Sequence, residues 1–153
     1  MVYISRLETE SGTWEVTASD RGVTGVCLQT SFVQAPENRY SRQAAEELRR
    51  YFAGESVDFS AALDLDGTPF QKRVWEELRK IPYGENRCYS QVAEALGRPA
   101  AVRAVAQAIG RNPCLVLIPC HRVLGKDGSL TGFSAGLELK KQLLRLENIP
   151  WSR

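Results

Sequence analysis

The chain is organised around residues 115–123, which read LVLIPCHRV. The four apolar residues, rich in β-branched types, predict a short buried strand. Pro119 cannot donate a hydrogen bond to a sheet ladder, so we expect the strand to end there. Cys120 and His121, the only histidine of the chain, follow at once. The stretch therefore predicts a nucleophile and a base presented at the end of a strand.

The composition is that of a globular protein with one or two small domains. The chain has 153 residues, of which 43% are hydrophobic and 25% are charged, and such values are ordinary for this class. The chain contains no run of about 18 apolar residues, which a membrane span would need, and its N-terminus lacks a signal-peptide pattern. We therefore expect a cytoplasmic protein without membrane contact, whose thiols stay reduced.

The four cysteines are scattered and form no Cys-x-x-Cys pair. With a single histidine, the ligand spacing of zinc sites is missing, so we expect no metal and no other cofactor. Cys27, Cys88 and Cys114 are expected to be small buried hydrophobic side chains.

The first 65 residues predict a small α/β domain, a small antiparallel sheet plus a helix. A helix is expected from an N-cap at Ser41 to about Ala53, with Gly54 ending it. The predicted strands precede it and cover residues 2–6, 13–19 and 23–30. No residue of this domain suggests chemistry, so we interpret it as a scaffold.

Residues 66–153 predict a mainly helical, winged-helix-like domain. Thr68-Pro69 begins one helix as N-cap and first helical residue. A helix capped by Ser90 and a second one opened by Pro99 resemble a helix-turn-helix, although an ordinary helical hairpin fits the pattern equally well. A last amphipathic helix is expected from about Leu137 to Glu147.

Charge is distributed unevenly between these two parts. Residues 1–65 hold six basic and ten acidic side chains, a net charge of −4, whereas residues 66–153 hold 14 basic and eight acidic ones, a net charge of +6. A basic C-terminal part indicates a polyanionic partner. The signal is weak by itself, because an excess of Lys and Arg is often only a solvated face.

Cys120 and His121 suggest thiol chemistry. A thiol becomes a good nucleophile as the thiolate, and a nearby imidazole promotes its ionisation. Neighbours on an extended chain point to opposite faces, so a bridging water could connect them. Glu147, in the last turn of its helix, is the candidate carboxylate that orients the imidazole. A cysteine beside a histidine is by itself more often structural than catalytic.

Several motifs in order resemble the O6-alkylguanine-DNA alkyltransferases. Ile118-Pro119-Cys120-His121-Arg122-Val123 is similar to the active-site signature of that family. The match covers residues 66–148. Its other segments are Ile81-Pro82-Tyr83-Gly84, Tyr89, Arg103-Ala104-Val105, Arg111-Asn112-Pro113, residues 127–133 and residues 136–140.

The resemblance implies DNA repair by transfer of an alkyl group to the protein itself. Double-stranded DNA containing O6-alkylguanine would bind through the helix-turn-helix, and the damaged nucleotide would flip into a pocket. Cys120 would accept the alkyl group once and irreversibly. Whether O4-alkylthymine also reacts stays open.

The resemblance also implies a role for each matching residue. His121 would act as base through water, oriented by Glu147, and Asn112 would brace the turn before the cysteine. Arg103, followed by Ala104, would enter the duplex in place of the flipped base. The pocket would be formed by Tyr89, by the backbone of Cys120 and Val123, by Phe133, and by Ser134 as donor to the alkylated oxygen.

Two positions depart from the family pattern. Phe133 stands where many members have tyrosine, so no phenol there assists the departing guanine. Ala106 stands where glycine is common, and we expect altered DNA affinity.

We expect a monomer. The alternatives are a non-catalytic binder of alkylated DNA, which would leave Cys120 unmodified, and a thiol hydrolase, which would turn over a small ester and ignore DNA.

Overall fold

The computed structural model describes residues 1–29 and 31–152, and it divides into two compact units. The first unit comprises Met1–Asp66 and Pro113–Leu117. The second comprises Gly67–Asn112 and Ile118–Arg153. The short segment before the cysteine therefore belongs to the same unit as the N-terminal sheet.

The first unit contains an antiparallel sheet in the order β1-β2-β3. Gly12 begins β2 with φ +128°, a left-handed value that glycine adopts without strain. The predicted strands are confirmed within a few residues at each end, although Thr30, the predicted end of the third strand, lies outside the described residues. The strands are β1 (Tyr3–Thr9), β2 (Gly12–Ala18) and β3 (Val23–Leu28).

Helix α1 (Arg39–Phe52) has its N-cap three residues before the predicted one. Asn38, not Ser41, is the N-cap: its side chain accepts from the backbone N–H of Ser41 at 2.9 Å. The Ser41 hydroxyl oxygen in turn accepts from the backbone N–H of Asn38 at 3.1 Å. The prediction of Ser41 as N-cap was wrong because both residues are good caps, and here they share a reciprocal capping box.

Residues 115–118 are buried but do not form the predicted strand. Cys114, just before them, makes an isolated bridge to Val26. Val116 has φ +71°, and the N–H of Leu117 donates to the carbonyl of Leu115 at 2.9 Å, which closes a γ-turn. A β-branched residue with positive φ is strained, and no strand can continue through it. Burial was predicted correctly, but the extended conformation was wrong.

The second unit is mainly helical, as predicted. Thr68 caps its first helix and Pro69 is the first helical residue, as the sequence indicates. The Trp75 ring N–H donates to the carbonyl of Ala108 at 2.8 Å and ties the first helix of this unit to the third. The helices are α2 (Pro69–Leu78), α3 (Tyr89–Ala95), α4 (Val102–Gly110) and α5 (Leu137–Leu146).

Helices α3 and α4 are the two helices of the predicted helix-turn-helix, and a 3₁₀ turn at Pro99–Ala101 joins them. The N-cap of α3 is Cys88 rather than the predicted Ser90, because the helix already begins at Tyr89. Just before it, β4 (Arg87–Cys88) pairs in parallel with β5 (Val123–Leu124). This short pairing holds the start of α3 beside the residues that follow the cysteine.

No helix in the described part of the chain is long and apolar enough to cross a lipid bilayer.

Candidate active site

Cys120 is presented by two tight turns rather than by a strand end. Pro119, with φ −79° and ψ 63°, is the centre of an inverse γ-turn in which the N–H of Cys120 donates to the carbonyl of Ile118 at 2.7 Å. A 3₁₀ turn then covers Cys120–Arg122. The Asn112 side-chain amide also donates to the Ile118 carbonyl, at 2.7 Å. The backbone that carries the thiol is therefore fixed from two sides.

His121 and Glu147 are brought together, as the sequence suggested. His121 Nε2 lies 2.5 Å from Glu147 Oε2, and both side chains are fully buried. Glu147 directly follows α5 as its C-cap. An acidic group at a helix C-terminus is unfavourable by itself, and its buried partners explain why it is tolerated there.

Arg122 and Gly84 complete the surroundings of Glu147. Arg122 donates through Nε to Oε1 at 2.8 Å and through Nη2 to Oε2 at 3.2 Å, in a two-pronged contact. The backbone N–H of Gly84 donates to Oε1 at 3.0 Å, and Arg122 Nη1 donates to the carbonyl of Ile81 at 2.7 Å. The segment that follows α2 therefore helps to hold the carboxylate.

These contacts determine the protonation states of His121 and Glu147. Burial by itself raises the pKa of Glu147, but the hydrogen bonds from His121, Arg122 and Gly84 outweigh it and lower that pKa to about 2. Burial lowers the pKa of His121, although Glu147 opposes the shift. At neutral pH the pair is therefore a carboxylate and a neutral imidazole. Because Nε2 faces the carboxylate, we assign the ring proton to Nε2, which makes Nδ1 the basic nitrogen.

The surroundings of Cys120 favour the protonated thiol over the thiolate. The exposed fraction of Cys120 is 3%. Burial raises the pKa of Cys120 to about 11, even though a hydrogen bond with Asn112 and the positive charge of Lys140 act in the opposite direction. At neutral pH the thiol is therefore protonated. A reaction at this sulfur therefore needs a base that removes the proton as the new bond forms.

Lys140 is a functional candidate that the sequence reasoning missed. Its side chain is fully buried in α5, and Nζ donates to the carbonyl of Val123 at 2.8 Å. Nζ also lies 5.8 Å from the centre of the Phe133 ring. Burial lowers the pKa of Lys140 to about 8, whereas Cys120 raises it. A signal was present, because Lys140 lies three and four residues before Leu143 and Leu144, on the apolar face of its helix.

The remaining predicted site residues lie nearer the surface. Arg103 and Ala104 are exposed near the start of α4. Ser134 is exposed in the loop after β5, and Phe133 beside it is half-buried. By contrast, Asn112 contacts the turn that carries Cys120, and Glu147 contacts the neighbouring His121.

Tyr89 connects the start of α3 to the loop after β5. Its phenol oxygen lies 2.6 Å from Oγ1 of Thr131, and both side chains are half-buried.

Over residues 1–29 and 31–152, no group of three His, Cys, Asp or Glu side chains is arranged to hold a metal ion.

Comparison with known proteins assigns the family. Residues 69–149 match the 6-O-methylguanine DNA methyltransferase DNA binding domain. The chain belongs to the 6-O-methylguanine DNA methyltransferase family. Residues 2–65 match the ribonuclease-like domain of the same family. The resemblance drawn from the motifs around Cys120 is thus confirmed.

Similar members of this family come from archaea and bacteria. The methylated-DNA–protein-cysteine methyltransferase of Methanosarcina barkeri is 50% identical over 109 residues, which cover 71% of this chain and 69% of that protein. The constitutive methylated-DNA–protein-cysteine methyltransferase of Bacillus subtilis is 40% identical over 162 residues, which cover 99% of this chain and 98% of that protein. The crystal structure of Mycobacterium tuberculosis OGT in complex with DNA matches with a TM-score of 0.85 at 40% identity, over 95% of this chain and 92% of that one.

Proposed function

We propose that this protein repairs DNA by transferring the alkyl group of O6-alkylguanine in a duplex to the sulfur of Cys120. The observation that carries the proposal is the buried thiol beside a neutral imidazole, which a carboxylate of low pKa orients. The curated relatives named above have this activity in their names. The reaction is a single turnover, because the product is a stable thioether.

The proton of the thiol has a defined route in this proposal. Neutral His121 takes it at Nδ1 through a bridging water, and the imidazolium that forms is stabilised by Glu147 at Nε2. The sulfur attacks the alkyl carbon, the bond from that carbon to O6 breaks, and the S–C bond forms. The proton passes to the departing guanine. Cysteine and O6-alkylguanine thus become S-alkylcysteine and guanine, with atoms and charge conserved.

Lys140 supports the same step electrostatically. Among the described residues it has no carboxylate within ion-pair distance, whereas Arg122 is paired with Glu147. A negative charge that develops at Cys120 therefore meets an unneutralised buried cation. The carbonyl of Val123, which accepts from Lys140, has a second lone pair available for the amino group of guanine.

Base flipping brings the lesion to this buried site. A thiol with an exposed fraction of 3% cannot reach an oxygen inside a stacked duplex. We assign Arg103 and Ala104, exposed near the start of the second helix of the helix-turn-helix, to the DNA contact, with Arg103 filling the space of the flipped base. Ser134 would donate to the alkylated oxygen, and the Phe133 ring and Tyr89 would line the base pocket.

We further propose that the protein acts as a monomer in the cytoplasm. All four cysteines fall within the described residues, and none forms a disulfide there. A reducing compartment keeps the acceptor thiol reactive.

The deciding experiment is the intact mass of the protein after incubation with a duplex containing O6-methylguanine. We expect a stoichiometric gain of one methylene on Cys120, mapped by peptide mass, and no gain in Cys120→Ala. Cys27→Ala is the matched control and should react like the wild type. Binding of the modified duplex without any mass gain would contradict the transfer and would indicate a non-catalytic binder of alkylated DNA.

A further inference from the structure

The phenol of Tyr89 is held in place by one hydroxyl group. As the first residue of α3, Tyr89 has a backbone that is fixed by the helix and by the pairing of Cys88 with Leu124. Its side chain can still turn about two torsions. The 2.6 Å hydrogen bond with Thr131 is the polar contact that selects one orientation.

The phenol also belongs to the surroundings of the reacting sulfur. Burial raises the pKa of Tyr89, the hydrogen bond with Thr131 lowers it, and negative charge at Cys120 raises it. The backbone agrees, because Tyr89 directly follows Cys88, which pairs with Leu124, four residues after Cys120. Movement of the phenol would therefore change the space beside the sulfur.

Thr131 is well suited to be the fixed partner of this pair. The loop before it is closed by the N–H of Gly125, which donates to the carbonyl of Ser129 at 2.8 Å. The loop after it is held where the Phe133 ring approaches Lys140. Threonine is also stiff about its first side-chain torsion. Its hydroxyl therefore has a defined position against which the longer tyrosine is oriented.

We propose that Thr131 is a positioning residue that sets substrate size: its hydroxyl holds the Tyr89 phenol in the pocket and so limits which alkyl groups reach Cys120. The inference rests on the proposed alkyl transfer. With the hydrogen bond present, the pocket is narrow and a methyl group is well oriented. Without it, the phenol can swing aside, so that bulky groups gain room and methyl groups lose orientation.

The test compares substrates of two sizes in the same duplex sequence. Second-order transfer rates are measured with O6-methylguanine and O6-benzylguanine for the wild type, Thr131→Val and Thr131→Ser. Valine keeps the volume and removes the hydrogen bond. We expect Thr131→Val to lower the methyl rate about fivefold, the effect of one ordinary hydrogen bond, and to raise the ratio of benzyl to methyl rates. Thr131→Ser should retain the wild-type ratio.

A double-mutant cycle shows whether the effect acts through Tyr89. In the Tyr89→Phe background, Thr131→Val should cause no further change in the rate ratio, because the partner hydroxyl is already absent. An equal loss on both substrates, or an unchanged effect in the Tyr89→Phe background, would overturn the inference. If the valine variant folds poorly, the ratios of benzyl to methyl rates of Thr131→Ser and Tyr89→Phe test the inference instead.

Failure of this inference is distinguishable from failure of the proposed function. If Cys120 gains no alkyl group from either duplex in the wild type, the transfer itself is refuted. If transfer occurs and the rate ratio does not depend on the Thr131 hydroxyl, only the role of Thr131 is refuted.

Discussion

Replacing Glu147 by glutamine tests whether the buried carboxylate is ionised and stabilises the second unit. The substitution keeps the shape of the side chain and removes its charge. It leaves Arg122 buried without its anionic partner, with an exposed side-chain fraction of 7%. It also weakens the acceptor of the His121 proton. We therefore expect a large loss of stability at neutral pH.

The magnitude follows from the pKa of the carboxyl group. Glu147 has a pKa of about 2 instead of 4.5. Because the pKa is lower in the folded state, the stabilisation is fully present above the unfolded value and is lost as pH falls through the folded value. At about 1.4 kcal/mol per pKa unit it amounts to about 3 kcal/mol at neutral pH. About 2 kcal/mol of it should already be lost at about pH 3.

The assay is the free energy of unfolding in urea, for the wild type and Glu147→Gln, at neutral pH and at about pH 3. We expect a difference of at least about 3 kcal/mol at neutral pH, reduced by about 2 kcal/mol in acid. Glu138→Gln is the matched control on the same helix, with a side chain that is 75% exposed, and it should change stability by less than about 0.5 kcal/mol. A difference between wild type and Glu147→Gln that is the same at both pH values would refute the reasoning.

Three further substitutions test the DNA contact, the buried cation and the helix packing. Arg103→Ala should slow repair of duplex DNA on the order of 100-fold, because unstacking the base costs a few kcal/mol, and should leave the reaction with free O6-benzylguanine nearly unchanged. Lys140→Met should raise the pKa of the Cys120 thiol by about one unit, measured as slower modification by iodoacetamide at each pH. Trp75→Phe should destabilise the protein by about 1 kcal/mol in urea unfolding, since it removes the hydrogen bond to Ala108.

The substitutions of Arg103 and Lys140 each have a control. If Arg103→Ala lowers the rates with duplex DNA and with the free base equally, Arg103 does not fill the space of the flipped base. Arg98→Ala, at another exposed arginine of the same region, shows the effect of losing a charge alone. Lys140→Arg keeps the cation and should keep the thiol reactivity. An unchanged thiol pKa in Lys140→Met would show that the lysine does not act on Cys120.

Local signals predicted the regular elements well. Thr68 and Pro69 are adjacent and unambiguous, so the start of α2 could be predicted to the residue. At α1 two capping residues compete, and only the structure shows that Asn38 is the N-cap and Ser41 its partner. The run before Pro119 could not be predicted as a turn, because the positive φ of Val116 contradicts the preference of a β-branched residue.

The active site was predictable where its residues lie in one motif or at a helix end. The position of Glu147 at a helix end and the resemblance both pointed to its pairing with His121, and the structure brings the two together. Lys140 was missed because a lysine on an amphipathic helix is normally assigned to the solvated side. Its burial depends on the Val123 carbonyl and on the Phe133 ring, which are 17 and seven residues away in sequence.

The assignment of Pro113–Leu117 to the first unit limits how the protein can be divided. Val26 of β3 donates to the carbonyl of Pro113 at 2.9 Å and accepts from the N–H of Leu115 at 3.1 Å. A fragment that ends at Asp66 would leave both backbone groups of Val26 without these partners, and a fragment that begins at Gly67 would carry an apolar segment without its strand. The two halves are therefore not interchangeable modules: a graft of another N-terminal half must match residues 113–117 of the recipient, immediately ahead of its reactive cysteine.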